Sequence, residues 1–191
     1  MLTSFQTQKL TALFNLYDLN KNGIVEKADY KLVIQNLSKV LNCPPDSEGY
    51  EFLYKTNMAV WEFVEGLADE DTDRQVTIIE FLEAYDHLLS DKTLFNQIMV
   101  GFATAFITLA DQNGDGKLTE DEFVAYTKGF NVSVDKAIAI FRSQDRDNNG
   151  YLTNEELHKS VDEFFYSEDI MAPGNCFFRV TTNPQDIFRQ D

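Results

Sequence analysis

The chain has 191 residues and carries 32 Asp and Glu against 16 Lys and Arg, a formal charge of -16. With 43% hydrophobic residues and 16 Phe, it can build the core that disordered acidic chains lack. The two-to-one excess of acids argues against nucleic-acid binding, because a phosphate backbone selects Lys and Arg. The length suits one domain or two small lobes sharing a core. Met1-Leu2-Thr3-Ser4-Phe5-Gln6 has no basic stretch leading into an apolar one, so no signal peptide is expected, and Leu2 stands where N-myristoylation needs Gly. The longest nearly apolar stretch, Ile98 to Ala110, is shorter than the roughly 20 residues of a membrane-spanning helix. Cys43 and Cys176 could pair, but two distant cysteines make no disulfide framework, and free thiols in a reducing compartment are the better reading. The expectation is a cytoplasmic monomer with no transmembrane segment.

Apolar residues at three- and four-residue spacing mark helices along the chain. Leu10, Leu13, Phe14 and Tyr17 form one face before an acidic loop at 18–29. Tyr30, Val33, Ile34 and Leu37 continue after it, until Asn42-Cys43-Pro44-Pro45 ends the helix. Trp61, Val64 and Ala68 precede a second acidic loop at 69–80, and Phe81, Tyr85 and Leu88 follow it. Phe102, Phe106 and Ala110 lead into a third at 111–122, and Phe123, Tyr126 and Phe130 leave it. Ala137, Ile140 and Phe141 enter a fourth at 145–156, and Leu157, Val161, Phe164 and Phe165 leave it. These stripes are core. The chemistry belongs to the loops.

Three of the loops place Asp at position 1, Asp or Asn at 3 and 5, Gly at 6, an aliphatic at 8 and an acid at 12. Calcium is a hard ion that takes six to eight oxygens, and a twelve-residue loop of this pattern supplies them from positions 1, 3, 5, 7 (a backbone carbonyl), 9 and 12. Glycine at 6 serves a turn of positive φ, which other residues adopt at a cost of about 1–2 kcal/mol. The third loop offers Asp111, Asn113, Asp115, the Lys117 carbonyl and Glu122; the fourth offers Asp145, Asp147, Asn149, the Tyr151 carbonyl and Glu156. The first offers Asp18, Asn20, Asn22, the Ile24 carbonyl, Glu26 and Asp29. Its shorter acid at position 12 suits six-coordinate Mg2+ better than a two-oxygen Glu would, so Mg2+ is expected to compete there.

The second loop offers Asp69, Asp71, Asp73, the Gln75 carbonyl and Glu80, but carries Arg74 at position 6. The strain of that turn weakens a site by roughly ten- to thirty-fold without abolishing it. A structural partner that merely completes the first pair is the other reading. The position-8 residues should pair as short antiparallel strands, Val25 with Val76 and Leu118 with Leu152. That gives an N-terminal pair over 1–90, a C-terminal pair over 91–166 and a tail over 167–191, packed on the core in its first part.

One such loop is a moderate signal, and three bracketed by amphipathic helices identify EF-hands. The whole arrangement resembles the four-EF-hand family that includes the sarcoplasmic calcium-binding proteins, calexcitin and calerythrin, from Phe5 to Phe178. The resemblance rests on the shortening intervals between Asp18, Asp69, Asp111 and Asp145, on Asp29 and on the second loop without glycine. It rests also on the tail, Phe164-Phe165-Tyr166-Ser167-Glu168-Asp169 followed by Ala172-Pro173-Gly174-Asn175 and Phe177. It implies a compact all-α protein of two EF-hand pairs around one shared core, acting as a calcium buffer or signalling sensor, and it favours a functional second loop. Photoprotein relatives surround a buried luciferin with His, Trp and Tyr triads. One Trp (Trp61) and two His (His87 and His158) are too few for those, although an apolar ligand in the shared core stays open.

A sensor that opens around a target exposes a Met-rich groove. Here Met1, Met58, Met99 and Met171 are scattered, and the linker near Ser90-Asp91-Lys92 is short. His87, His158 and the two cysteines fall in no catalytic signature, so no enzyme is expected. The expectation is a buffer or compact sensor of three or four Ca2+ ions. The alternatives are a switched sensor that binds a protein target, or a carrier of an apolar small ligand. The four loops hold 17 of the 32 acids and 5 of the 16 bases. Their crowded carboxylates repel one another when empty, so bound metal should stabilise the fold.

Overall fold

Helix α1 (Ser4–Tyr17) begins at a capping box in which the Thr3 hydroxyl accepts the Gln6 amide and the Gln6 side chain accepts the Thr3 amide. It buries Leu10, Leu13 and Phe14, as the apolar spacing requires. The computed structural model describes residues 1–177, apart from the side chains of Val100, Phe102, Ala103 and Ala105. The stripe residue Phe102, the end of the resemblance at Phe178 and the tail from 178 to 191 therefore lie outside the described residues.

Strand β1 (Ile24–Glu26) and helix α2 (Lys27–Val40) follow, and Asn42 turns the chain with φ 52 before the two prolines. Helix α3 (Glu48–Ala68) is 21 residues long, which accounts for the wide interval between the first two loops. After strand β2 (Gln75–Thr77), helix α4 (Ile78–Ser90) runs to Asp91. Asp91 closes α4 and opens α5 (Lys92–Ala110), its carboxylate accepting the Thr93 and Leu94 amides at 3.0 Å. One residue thus replaces a tether. Strand β3 (Leu118–Thr119), helix α6 (Glu120–Thr127), helix α7 (Val134–Gln144), strand β4 (Tyr151–Leu152) and helix α8 (Asn154–Tyr166) complete the order. A 3₁₀ turn over Pro173–Cys176 lies against α7 and α8. No helix among the described residues is long and apolar enough to cross a membrane.

The strands pair antiparallel, β1 with β2 and β3 with β4, placing Val25 opposite Val76 and Leu118 opposite Leu152 as the position-8 pattern requires. All four side chains are fully buried. One apolar cluster runs through both pairs of loops. Tyr85 of α4 stacks on Phe165 of α8 at 5.6 Å between ring centroids, and Phe95 of α5 meets the same ring edge-on at 5.0 Å.

The helix expected to carry Phe130 stops early. It breaks into a 3₁₀ turn over Lys128–Phe130, and Asn131 takes φ 60. The Thr127 hydroxyl bonds back to the Phe123 and Val124 carbonyls, which loosens the last turn. The turn then packs on α2, where Asn36 donates to the Gly129 carbonyl at 3.1 Å. A Cβ at Gly129 would lie 2.5 Å from Leu37 Cδ2. Gly129→Ala should therefore overpack this junction and destabilise the protein by about 1–3 kcal/mol. Urea denaturation checks this, and Leu37→Ala should cost less in the Gly129→Ala chain than in the wild type.

Candidate metal centres

All four loops adopt one backbone course. The position-1 carboxylate accepts the amide of position 6 in each: Asp18 from Gly23 at 2.9 Å, Asp69 from Arg74 at 2.9 Å, Asp111 from Gly116 at 2.8 Å, Asp145 from Gly150 at 2.9 Å. Its other oxygen takes the position-5 amide from Asn22, Asp73 and Asn149. In the third loop it takes the Gly114 amide instead, one residue earlier. The position-3 side chain, Asn20, Asp71, Asn113 or Asp147, accepts the position-5 amide throughout. The position-5 side chain in turn accepts the position-7 amide.

The position-12 acid ties the two ends of its loop together. Glu122 accepts the Gln112 amide on Oε1 at 3.1 Å and the Thr119 amide and hydroxyl on Oε2. Glu156 does the same with the Arg146 amide at 2.9 Å and with Thr153. Glu80 takes the Thr77 amide and hydroxyl. These acids are also the third residues of their exit helices, so each completes a capping box. Asp29, one methylene shorter, makes the same tie by receiving the Leu19 and Asn20 amides on one oxygen and the Glu26 amide on the other, all at 3.0 Å.

Burial separates these acids. Asp29 is fully buried, and loss of hydration pushes its carboxyl above the ordinary value; the Asp18 charge adds to this, and the three amides only partly offset it. Burial also pushes Glu122 up, but bonds from the Thr119 hydroxyl and amide and from the Gln112 and Asn113 amides outweigh it, leaving the group below its usual range. Glu80 is lowered chiefly by the Thr77 amide. The position-7 side chains of the second pair meet away from the carboxylates, with the Lys117 ammonium 4.2 Å over the Tyr151 ring.

The donor set is oxygen throughout, which fits a hard divalent cation. Among the described residues, two groups of acids hold their oxygens within 4.8 Å of one another: Asp69 with Asp71 and Asp73, and Asp145 with Asp147 and Glu156. In the first and third loops Asn20 and Asn113 hold position 3 with an amide oxygen in place of a carboxylate.

A family model for the EF-hand domain pair matches residues 102–129 and 126–162, which span the third and fourth loops. The chain is a calcium-binding EF-hand protein. It is similar to calerythrin and to the sarcoplasmic calcium-binding proteins. Calerythrin of Saccharopolyspora erythraea is 23% identical over 168 residues, 87% of this chain and 95% of that one. The sarcoplasmic calcium-binding protein of amphioxus superposes with a TM-score of 0.72 at 18% identity, covering 95% of this chain and 100% of that one. The calcium-loaded apo form of the coelenterazine-binding protein of Renilla muelleri gives 0.71 at 21% identity, covering 93% and 98%.

The motif reading expected positive φ at position 6 alone. The structure has it at position 4 as well: Lys21, Thr72, Gly114 and Asn148 lie between φ 57 and 74. Gly114 and Asn148 carry that signal in their residue types, whereas Lys21 and the β-branched Thr72 do not. Arg74 already sits at φ 66 with its amide on Asp69, so its strain belongs to the fold and not to ion capture alone. Arg74→Gly releases about 1–2 kcal/mol of strain and loses about 0.5–1 kcal/mol to the freer unfolded chain. The metal-free variant should be more stable by up to about 1.5 kcal/mol, as a higher midpoint in urea.

Proposed function

We propose that the protein is a calcium buffer or compact calcium sensor that binds one ion in each of the four loops. The observation that carries this reading is the shared loop geometry: side-chain oxygens at positions 1, 3, 5 and 12 accept backbone amides in all four. The ligands assigned are Asp18, Asn20, Asn22, the Ile24 carbonyl, Glu26 and Asp29 in the first loop, and Asp69, Asp71, Asp73, the Gln75 carbonyl and Glu80 in the second. In the third they are Asp111, Asn113, Asp115, the Lys117 carbonyl and Glu122; in the fourth, Asp145, Asp147, Asn149, the Tyr151 carbonyl and Glu156. For the second loop, support comes from the converged oxygens of Asp69, Asp71 and Asp73, and from a turn already formed at Arg74. For Mg2+ competition at the first, it comes from Asp29, whose oxygens receive three amides and whose side chain is too short to move far from them.

The buffer or compact-sensor reading over a target-gripping one rests on the packing between the pairs. An opening motion would separate Tyr85 from Phe165, Asn36 from Gly129 and Tyr166 from the Leu89 carbonyl. Met58 and Met99 are buried in the core and cannot line a groove. Calorimetric titration tests both parts. Glu122→Ala and Glu156→Ala should each remove one of four Ca2+ ions, added Mg2+ should weaken one site most, and a dye for apolar surface should bind less after Ca2+ than after chelation. Unchanged stoichiometry in both variants overturns the site assignment, and a rise in dye binding with Ca2+ favours the target-binding sensor.

A second reading, a carrier of a small apolar ligand, is favoured by the central cavity. It has a volume of about 140 Å³ and lies among Leu13, Tyr17, Tyr30, Tyr85, Phe106 and Tyr126. Tyr30 is buried with its hydroxyl lacking a hydrogen-bond partner among the described residues, and burial pushes Tyr17 up to about 12, so these phenols stay neutral donors. A dry cavity of about 150 Å³ admits a benzene-sized guest. A single ring bearing an acceptor fits, whereas a multi-ring luciferin requires the core to expand. Trp61 lies 5.6 Å from Tyr30 between ring centroids, so its fluorescence should report a phenol titration, and Tyr30→Phe should weaken the response. No saturable change in the wild type excludes this reading.

A further inference from the structure

The C-terminal segment from Ser167 to Phe177 is fastened by the frame of the fourth loop. Asp145, the first residue of that loop, sits between Gln144, which bonds the segment directly, and Arg146, which reaches it through Glu163. Gln144 is fully buried; its Nε2 donates to the Pro173 carbonyl at 2.9 Å, and its Oε1 accepts the Ser160 hydroxyl. Arg146 Nη2 lies 2.8 Å from Glu163 Oε2, and that oxygen also accepts the Gly174 amide at 2.9 Å. The buried Nε of Arg146 has no acceptor among the described residues, and Glu163 is the carboxylate that pairs with its half-buried guanidinium. The fit admits no side chain at 174, where a Cβ would lie 2.4 Å from the Ser160 carbonyl oxygen.

The far side of the segment reaches the other pair of loops and the cavity. Lys9 of α1, 1% exposed, donates from Nζ to the Ser167 carbonyl at 2.8 Å and to Asn175 Oδ1 at 3.1 Å. The Phe177 ring packs on Phe106 at 5.8 Å and Phe123 at 6.4 Å, forming part of the cavity wall.

We propose that cation binding in the loop 145–156 and seating of Ser167–Phe177 are one linked equilibrium, the segment acting as a latch that closes when the fourth loop fills. The inference rests on the metal-site reading above and adds regulation to it. The converged oxygens of Asp145, Asp147 and Glu156 repel one another when no cation neutralises them. Their separation displaces Arg146, whose amide is bonded to Glu156, and with it the Glu163 contact that receives Gly174. Gln144 ends the entering helix on the other side of Asp145 and carries Pro173 with it. Linkage is reciprocal, so an unseated segment must weaken cation binding by the same factor that the cation favours seating.

Hydrogen exchange on the full chain, read together with calorimetry, tests this. Ca2+ should slow exchange of the amides at 172–177 about tenfold or more in the wild type, within the usual range of coupling between sites. It should not do so in Glu156→Gln, which keeps the capping group and should bind one ion fewer. Gly174→Ala, which alters no ligand, should leave the segment exchanging fast and weaken one ion by about tenfold. If Glu156→Gln loses one ion but the wild-type segment is equally protected with and without Ca2+, the latch is wrong and the site reading stands. The latch is equally wrong if Gly174→Ala frees the segment with every affinity unchanged. Full stoichiometry in Glu156→Gln removes the site reading and the latch together. Should Gly174→Ala not fold, the wild type and Glu156→Gln still decide.

Discussion

The structure depends most on the carboxylate that closes each loop. One oxygen of Glu122 or Glu156 receives an amide from the second residue of the loop, and the other receives the amide and hydroxyl that start the exit helix. The same group therefore fixes the loop's diameter, satisfies the first orphan amides of a helix and presents acidic oxygens toward the loop's interior. Because the exit helices carry the core residues Phe81, Phe123 and Leu157 one position later, a change in loop geometry is transmitted at once to packing. Ligand chemistry and fold stability are not separable at these positions.

The pairing of loops extends that constraint. Val25 against Val76 and Leu118 against Leu152 make each loop the support of another. Between the pairs there is no tether to absorb motion: Asp91 ends one helix and caps the next, and the turn at Gly129 presses directly on Leu37. A core continuous through both pairs favours graded tightening over a hinge-like opening. That is why buffering and compact sensing fit the packing better than target capture does.

Much of this was legible in the sequence because EF-hand chemistry is local. Twelve consecutive residues hold the candidate ligands, the turn and the register-setting aliphatic, so the strand pairs followed from spacing alone. The left-handed backbone at Lys21 and Thr72 was not legible, since neither residue type favours it and only the surrounding hydrogen bonds impose it. Nor was the break after Thr127, which depends on contact with α2, far away in the chain. Lys9 gave no warning at all. A lysine on a helix reads as solvated, and only the tertiary fold shows its ammonium enclosed by carbonyls of α8 and the segment beyond it.

Lys9 also alters how the order of the four units should be regarded. By joining the first helix to the last, it closes the string of helix-loop-helix repeats on itself. In a string, the two outermost units each have one neighbour, and a disturbance at one end must cross the whole array to reach the other. In the folded chain the first unit meets the second through the paired strands, the third through the turn on α2 and the fourth through Lys9, so no unit is terminal.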